Sequence, residues 1–249
     1  MLAIIGTRTP TDYSGRVLRQ WIPTFVDADI VIVSGGAYGV DALAHTITLE
    51  SGGRTVAVLG TGIDVAYPVS HAPLYRKIVE SGGAVISEFP LGAKGTNYSF
   101  PIRNATIAGL SDAVFVTEAA ARSGSLITAR LANDFGRDVF VLPGDVFRDS
   151  SVGTNTLARG SEASIATSPD DILHSFGMKY ISCAGATSPP ELSDPLDRRI
   201  VETLRDGQKG LDALTEQLDV ELSILSTRLI ELEFQNIIIR HPHGAYELR

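Results

Sequence analysis

Seven short apolar runs, each closed by a polar or glycine-containing turn and followed by a helical pattern, organise the first 176 residues. The runs predict strands at Leu2–Ile5, Ile30–Ser34, Thr55–Leu59, Ala84–Glu88, Ala113–Thr117, Val139–Leu142 and, more weakly patterned, Ala163–Ala166. Several are apolar at consecutive positions (IVIV, AVFV, VFVL). Such strands are buried on both faces, which is the habit of parallel strands covered by helices on either side. Between them, helices are expected near 14–26, 40–51, 70–81, 101–109, 124–135, 153–159 and 169–175.

Right-handed crossovers turn this alternation into an open sheet: an α/β, Rossmann-like, doubly wound and mostly parallel domain over residues 1–176. Ligands of such sheets bind at the carboxyl ends of the strands. Those ends read GTR, SGGAYG, GTG, SEFP, TEAAARSGS and PGD. Glycine, at 24 residues, clusters there, so it marks tight turns at the sheet rim and not a flexible chain.

Residues 177–194 lose all periodicity and carry Pro189-Pro190, so they read as a linker. Helices then follow at Asp197–Leu204, Leu211–Leu218 and Ser223–Glu233, and Ile237–Ile239 and Tyr246–Leu248 flank a hairpin around His241-Pro-His-Gly244. That is the arithmetic of a small winged-helix-like domain, residues 195–249. From Glu191 onward the chain carries 12 acidic and 7 basic side chains, and Arg228 is the one basic residue of the third helix. A winged helix that reads DNA shows several basic groups there, so a protein contact or self-association is the expected role.

The whole chain has a formal charge of -8, which excludes a generic nucleic-acid sponge but leaves room for a locally basic cleft. Cys183 is the only cysteine, so neither an intrachain disulfide nor a cysteine-rich zinc site is available. No apolar stretch is long enough to span a bilayer, and Leu2–Ile5 reads as a strand, not a signal peptide. A cytoplasmic protein without a membrane partner is expected.

Arg8, directly after the first strand, is either a bidentate phosphate ligand or a surface arginine after a turn. The turn Ser34-Gly35-Gly36-Ala37-Tyr38-Gly39 enters a helix, where converging N–H groups form an anion nest. Asp41 is placed to cap that helix and, four residues before His45, to share a structural hydrogen bond with it. Gly60-Thr61-Gly62 lacks the third glycine of a dinucleotide fingerprint, so no nicotinamide cofactor is expected. Arg122, Ser123, Gly124 and Ser125 open another helix with hydroxyls, exposed N–H groups and a positive charge, beyond Glu118. Ser125 sits in no G-x-S-x-G elbow, which argues against a serine nucleophile.

Taken together, SGGAYGVDALAH, VAVLGTGID with Tyr67-Pro68, ISEFP, FPIRNATIAGLS, VTEAAARSGSLITARLA, VFVLPG and GTNTLARG resemble the DNA-processing protein A (Smf) family, in order from residue 4 to about 173. The tail resembles that family's C-terminal winged-helix domain. The resemblance implies a non-catalytic, cofactor-free protein. Such a protein binds single-stranded DNA on the Rossmann-like domain, dimerises through it, and loads a RecA-type recombinase during natural transformation while displacing single-strand-binding protein. It places the Ser34–Asp41 turn, Arg103, Asn104 and the Arg122–Ser125 segment in the DNA pocket. Many members have arginine where Tyr38 and Ala105 stand here, so part of the phosphate-neutralising charge is missing and Tyr38 offers stacking instead. Many also carry a helical domain ahead of the first strand.

The alternative is a nucleotide-binding sensor or a nucleoside monophosphate phosphoribohydrolase, with Glu118 and the serines holding a ribose phosphate. Against it, the PGGxGTxxE motif of those hydrolases is absent and TEAAARSGSLITA stands in its place.

Overall fold

The computed structural model describes residues 1–178, 194–204, 207–234, 237–241 and 244–248. Contacts divide the chain into two compact units, Met1–Ile181 and Ser182–Arg249. Of the segment read as a linker, residues 179–193 lie outside the described residues.

The first unit runs β1 (Leu2–Ile5), α1 (Asp12–Asp27), β2 (Ile32–Ser34), α2 (Val40–Glu50), β3 (Thr55–Leu59), α3 (Ala72–Glu80), β4 (Ala84–Ser87) and α4 (Ser99–Leu110). It continues with β5 (Ala113–Val116), α5 (Ser125–Asp134), β6 (Asp138–Val141), α6 (Val152–Arg159), β7 (Ser164–Ile165) and α7 (Pro169–Leu173). The seven strands form one sheet in the order β4-β3-β2-β1-β5-β6-β7, and every pairing is parallel.

Strand alternation explains the two cores. Leu2 and Ile4 of β1 meet Leu18, Ile22 and Phe25 of α1 on one face. Ala3 and Ile5 meet Ile107 of α4 and Ala129 of α5 on the other. Trp21 stacks on Phe115 of β5, with centroids 5.5 Å apart, inside the first of these cores.

The boundaries differ from the sequence reading where local hydrogen bonding intervenes. β2 starts at Ile32 because Ile30 is consumed in ending α1: its N–H donates to Phe25 O (2.9 Å), with Asp29 in the left-handed region (φ 55°). α4 starts at Ser99, ahead of Pro101, because Thr96 and Ser99 cap each other's backbone N–H (2.8 and 3.1 Å). Among the described residues, no helix is long and apolar enough to cross a membrane.

In the second unit, α8 (Pro195–Leu204), β8 (Lys209–Gly210), α9 (Leu211–Leu218), α10 (Leu222–Phe234), β9 (Ile238–Arg240) and β10 (Ala245–Leu248) form a winged-helix arrangement. Its antiparallel sheet has the order β8-β10-β9. Leu225, Leu229 and Leu232 of α10 pack on Ile200, Leu214 and Tyr246, a spacing that puts them on one helical face. β8 escaped the sequence reading, being two residues that pair with Ala245 and Tyr246. Arg228 is held by Asp194, by Asp197 (3.0 Å) and by Glu231 (2.5 Å), so the basic group of α10 is already neutralised within its own unit.

Candidate functional site

The sheet reverses its winding at β1: β2 pairs on one side, and β5, which arrives after the rest of that half, pairs on the other. The loops leaving β1 and β5 therefore part company and open a crevice at the carboxyl edge, the place where this class of sheet takes its ligands. A cavity of about 430 Å³ occupies it, walled by Thr7, Arg8, Asp41, Phe100, Arg103, Asn104 and the Arg122–Ser125 segment.

Its near lip is the Gly6-Thr7-Arg8 turn, held against the start of α2. Val40 N–H donates to Thr7 O (3.1 Å), and Gly39, at φ 80°, lies so close that a Cβ there would stand 2.4 Å from Thr7 O. Only glycine permits that approach. Arg8 projects from this lip and is exposed. The far lip is the start of α5, where Arg122 is exposed, Ser123 and Ser125 share a hydrogen bond (2.7 Å), and Asn104 Nδ2 donates to Gly124 O (3.4 Å).

The floor holds a buried arginine and a buried aspartate, each bonded to backbone and each within the other's electrostatic field. Arg103 is 8% exposed, and its Nη1 donates to Gly35 O (2.5 Å) and Val58 O (2.7 Å). Asp41 is also buried, and its Oδ2 accepts the N–H groups of Gly35 (3.2 Å) and Ala37 (3.3 Å). Burial pushes the Asp41 carboxyl up from the usual range, against the opposing pull of Arg103 and of the Ala37 and Gly35 N–H groups. Burial likewise lowers Arg103; nearby Arg8 adds to that, and Asp41 and Tyr75 oppose it. Tyr75, buried and pushed up to about 12, donates from its hydroxyl to Gly36 O (3.0 Å) and Tyr67 O (2.7 Å). With His71 Nδ1 also donating to Gly36 O (2.9 Å), the 34–39 turn is clamped by four side chains.

This arrangement corrects two expectations. Asp41 does not cap α2, whose N-cap is Gly39 with no side-chain bond; it lies one residue inside the helix and turns back to fill the nest the glycines make. Nor does it bond to His45. His45 Nδ1 meets Thr55 Oγ1 (2.7 Å), whose own proton goes to Ile32 O (2.8 Å), so the imidazole donates and its Nε2 is left buried without a partner.

The remaining sequence candidates divide between the cavity wall and the interior. Ser34 is fully buried, with its hydroxyl donating to Ile4 O (2.7 Å), and Gly36 is buried beneath Tyr75. Gly35 and Tyr38 instead border a small annexe of about 70 Å³, where Tyr38, Tyr67 and Phe100 bring three aromatic rings beside Arg8 and Arg103. Tyr38 is exposed, bonded to Ser70 Oγ (3.0 Å) and set edge-on to His71 (4.9 Å). The aromatic role of Tyr67 and Phe100 was not legible from spacing, since 33 residues separate two rings that lie 5.4 Å apart. Glu118, only 3% exposed, faces away from the cleft and accepts both the N–H (3.1 Å) and the hydroxyl of Thr11. Among the described residues, no group of three or more His, Cys, Asp or Glu side chains is gathered closely enough to hold a metal ion.

A reversing parallel sheet with an arginine-lipped cleft at its switch point defines a ligand-binding Rossmann-like domain joined to a winged-helix unit. Residues 1–177 match the family model described as DNA recombination-mediator protein A. Protein Smf of Escherichia coli (strain K12) is 37% identical over 255 residues, covering all of this chain and 68% of that protein. The X-ray structure of DNA processing protein A from Streptococcus pneumoniae is 39% identical, with a TM-score of 0.63 over 70% of this chain and 60% of that one. A structure reported for the unique single-stranded DNA binding mode of DNA processing protein A from Helicobacter pylori is 32% identical. It has a TM-score of 0.64 and covers 70% of this chain and 79% of its own. The chain belongs to the DNA processing protein A (Smf) family.

Proposed function

We propose that this chain binds single-stranded DNA in the switch-point cleft and, without turning over a substrate, hands the strand to a RecA-type recombinase in competition with single-strand-binding protein. The observation that carries this reading is the division of labour among the three arginines of the cleft. Arg8 and Arg122 are exposed on opposite lips, whereas the guanidinium of Arg103 is spent on the floor. Two exposed guanidiniums across an open trough suit consecutive phosphates, and the adjoining Tyr38, Tyr67 and Phe100 rings suit unstacked bases. A hydrolase would need Glu118 in the cleft, and it does not line it, being bound instead to Thr11. On this reading the protein works as a homodimer, in keeping with the family it belongs to.

Anisotropy titration of a labelled oligonucleotide at several salt concentrations tests the reading. Arg8→Ala and Arg122→Ala are each expected to weaken binding about tenfold at low salt. Each should also flatten the slope of log K against log salt by about 0.7, the value for one phosphate contact on a single strand. Unchanged affinity in both variants, or displacement of the oligonucleotide by a mononucleotide alone, overturns it.

A further inference from the structure

The connection between β6 and α6 carries an aromatic ring that the cleft does not use. Phe147 is 93% exposed and its neighbour Val146 76%. A single exposed apolar residue needs no explanation, but this pair stands on a turn built to hold it out. Asp145 Oδ1 accepts the Phe147 N–H (2.9 Å) and Asp145 O accepts the Arg148 N–H (3.1 Å). Just upstream, Gly144 is bonded through both its N–H (3.2 Å) and its carbonyl (3.1 Å) to the Asn155 amide, and Pro143 O accepts the Tyr13 hydroxyl (3.1 Å). A ring presented by so braced a turn loses little freedom on meeting a ligand.

Beside this loop lies a second cavity, of about 490 Å³, lined by Tyr13, Arg16, Glu118, Asp145 and Arg148. The loops that follow β1 and β5 contribute residues to both cavities. Arg8 and Arg122 border the cleft, and the bonded pair Thr11 and Glu118 borders the second cavity. A strand that leaves the cleft over these loops reaches the second cavity, which Asp145 and Arg148 of the turn carrying Phe147 also line.

We infer that Phe147 is a stacking platform for a base of single-stranded DNA that has left the switch-point cleft, an inference that rests on the reading of the cleft given above. Charge decides what the contact contributes. Asp12, Glu118 and Asp145 offset Arg16 and Arg148 around this cavity, and Arg148 is already paired with Asp145 (3.5 Å). The site therefore adds stacking, which tolerates any sequence, and adds no phosphate neutralisation.

The test compares Phe147→Ala with the unaltered full chain on two oligothymidylates, one of about 5 and one of about 16 nucleotides, within the span of single-strand site sizes. The short strand fills the cleft alone. Phe147→Ala is expected to weaken the long strand about tenfold while leaving the short strand and the salt slope unchanged, and Phe147→Trp should restore the long-strand affinity. Equal long-strand affinity in Phe147→Ala overturns the inference. An equal loss on both lengths overturns it too, because the ring would then act on the cleft itself. If the unaltered chain binds neither strand, the reading of the cleft fails and this inference falls with it.

Discussion

Arg103→Met is expected to remove about 3 kcal/mol of stability from the first unit, on the scale of roughly 1–3 kcal/mol for each buried polar group left without its partner. The side chain is 8% exposed and lies between two strand ends, so methionine fills most of its volume but none of its bonding. Gly35 O and Val58 O lose their donor (2.5 and 2.7 Å), and each buried acceptor left unmade is costly in itself. Asp41 then keeps its two backbone donors but loses the positive charge that opposes its burial. Arg103→Lys should recover little, since an ammonium is a point donor and cannot reproduce the guanidinium fork. The measurement is urea unfolding followed through Trp21, the only tryptophan, which is stacked on Phe115 in the core of this unit. An unchanged midpoint would show that the guanidinium contributes nothing net. The same variant separates floor from lips in DNA binding. If Arg103 acts by holding the 34–39 turn, affinity falls while the salt slope stays where it was, in contrast to Arg8→Ala and Arg122→Ala.

The distinction between floor and lips is also where the sequence stopped being legible. Strand existence and parallel pairing followed from side chains: IVIV, AVFV and VFVL are apolar at every position, and each proved buried on both faces or nearly so. Carboxyl-end turns were readable for the same reason, because each apolar run ends abruptly in glycine and hydroxyl residues. Strand order was not readable, since nothing local in β1 or β5 states that they are neighbours across 107 residues from Ile5 to Asp112, yet that pairing creates the crevice. Nor does a residue type announce its burial. Arg8, Arg103 and Arg122 look alike on the page, and only the packing of α4 against β3 sends the second of them under the turn. Asp41 was misjudged for a related reason. A carboxylate at the second position of a helix ordinarily serves that helix, but here three glycines upstream bend the backbone into its reach.

Lowering the pH from 6.5 to 4 is expected to destabilise the first unit by about 3 kcal/mol through His45 alone, at about 1.4 kcal/mol for each unit of pH. Burial, reinforced by the fields of His71 and Arg103, lowers the folded-state pKa of this histidine from 6.5 to about 3. The folded protein therefore keeps it neutral while the unfolded chain takes up a proton near 6.5. Between those values the unfolded state binds more protons, so stability falls steadily as the pH drops and recovers above 6.5. The geometry gives the proton no welcome: Nδ1 already donates to Thr55 Oγ1 (2.7 Å), and a proton on Nε2 would point at no acceptor. Asp41 works in the opposite direction. Its raised pKa means the folded state holds that proton more tightly than the unfolded one, so its own contribution grows as the pH falls through the raised value. The two therefore oppose each other at the acid end, and the wild-type profile alone cannot assign the slope. The difference between wild type and His45→Gln can, because Gln removes the titration and leaves Asp41 in place. Urea midpoints at Trp21 should converge for the two proteins as the pH falls from 7 to 4. Parallel profiles would show that His45 protonates in the folded state at its ordinary value, and that the buried polar layer beneath the cleft is open to water.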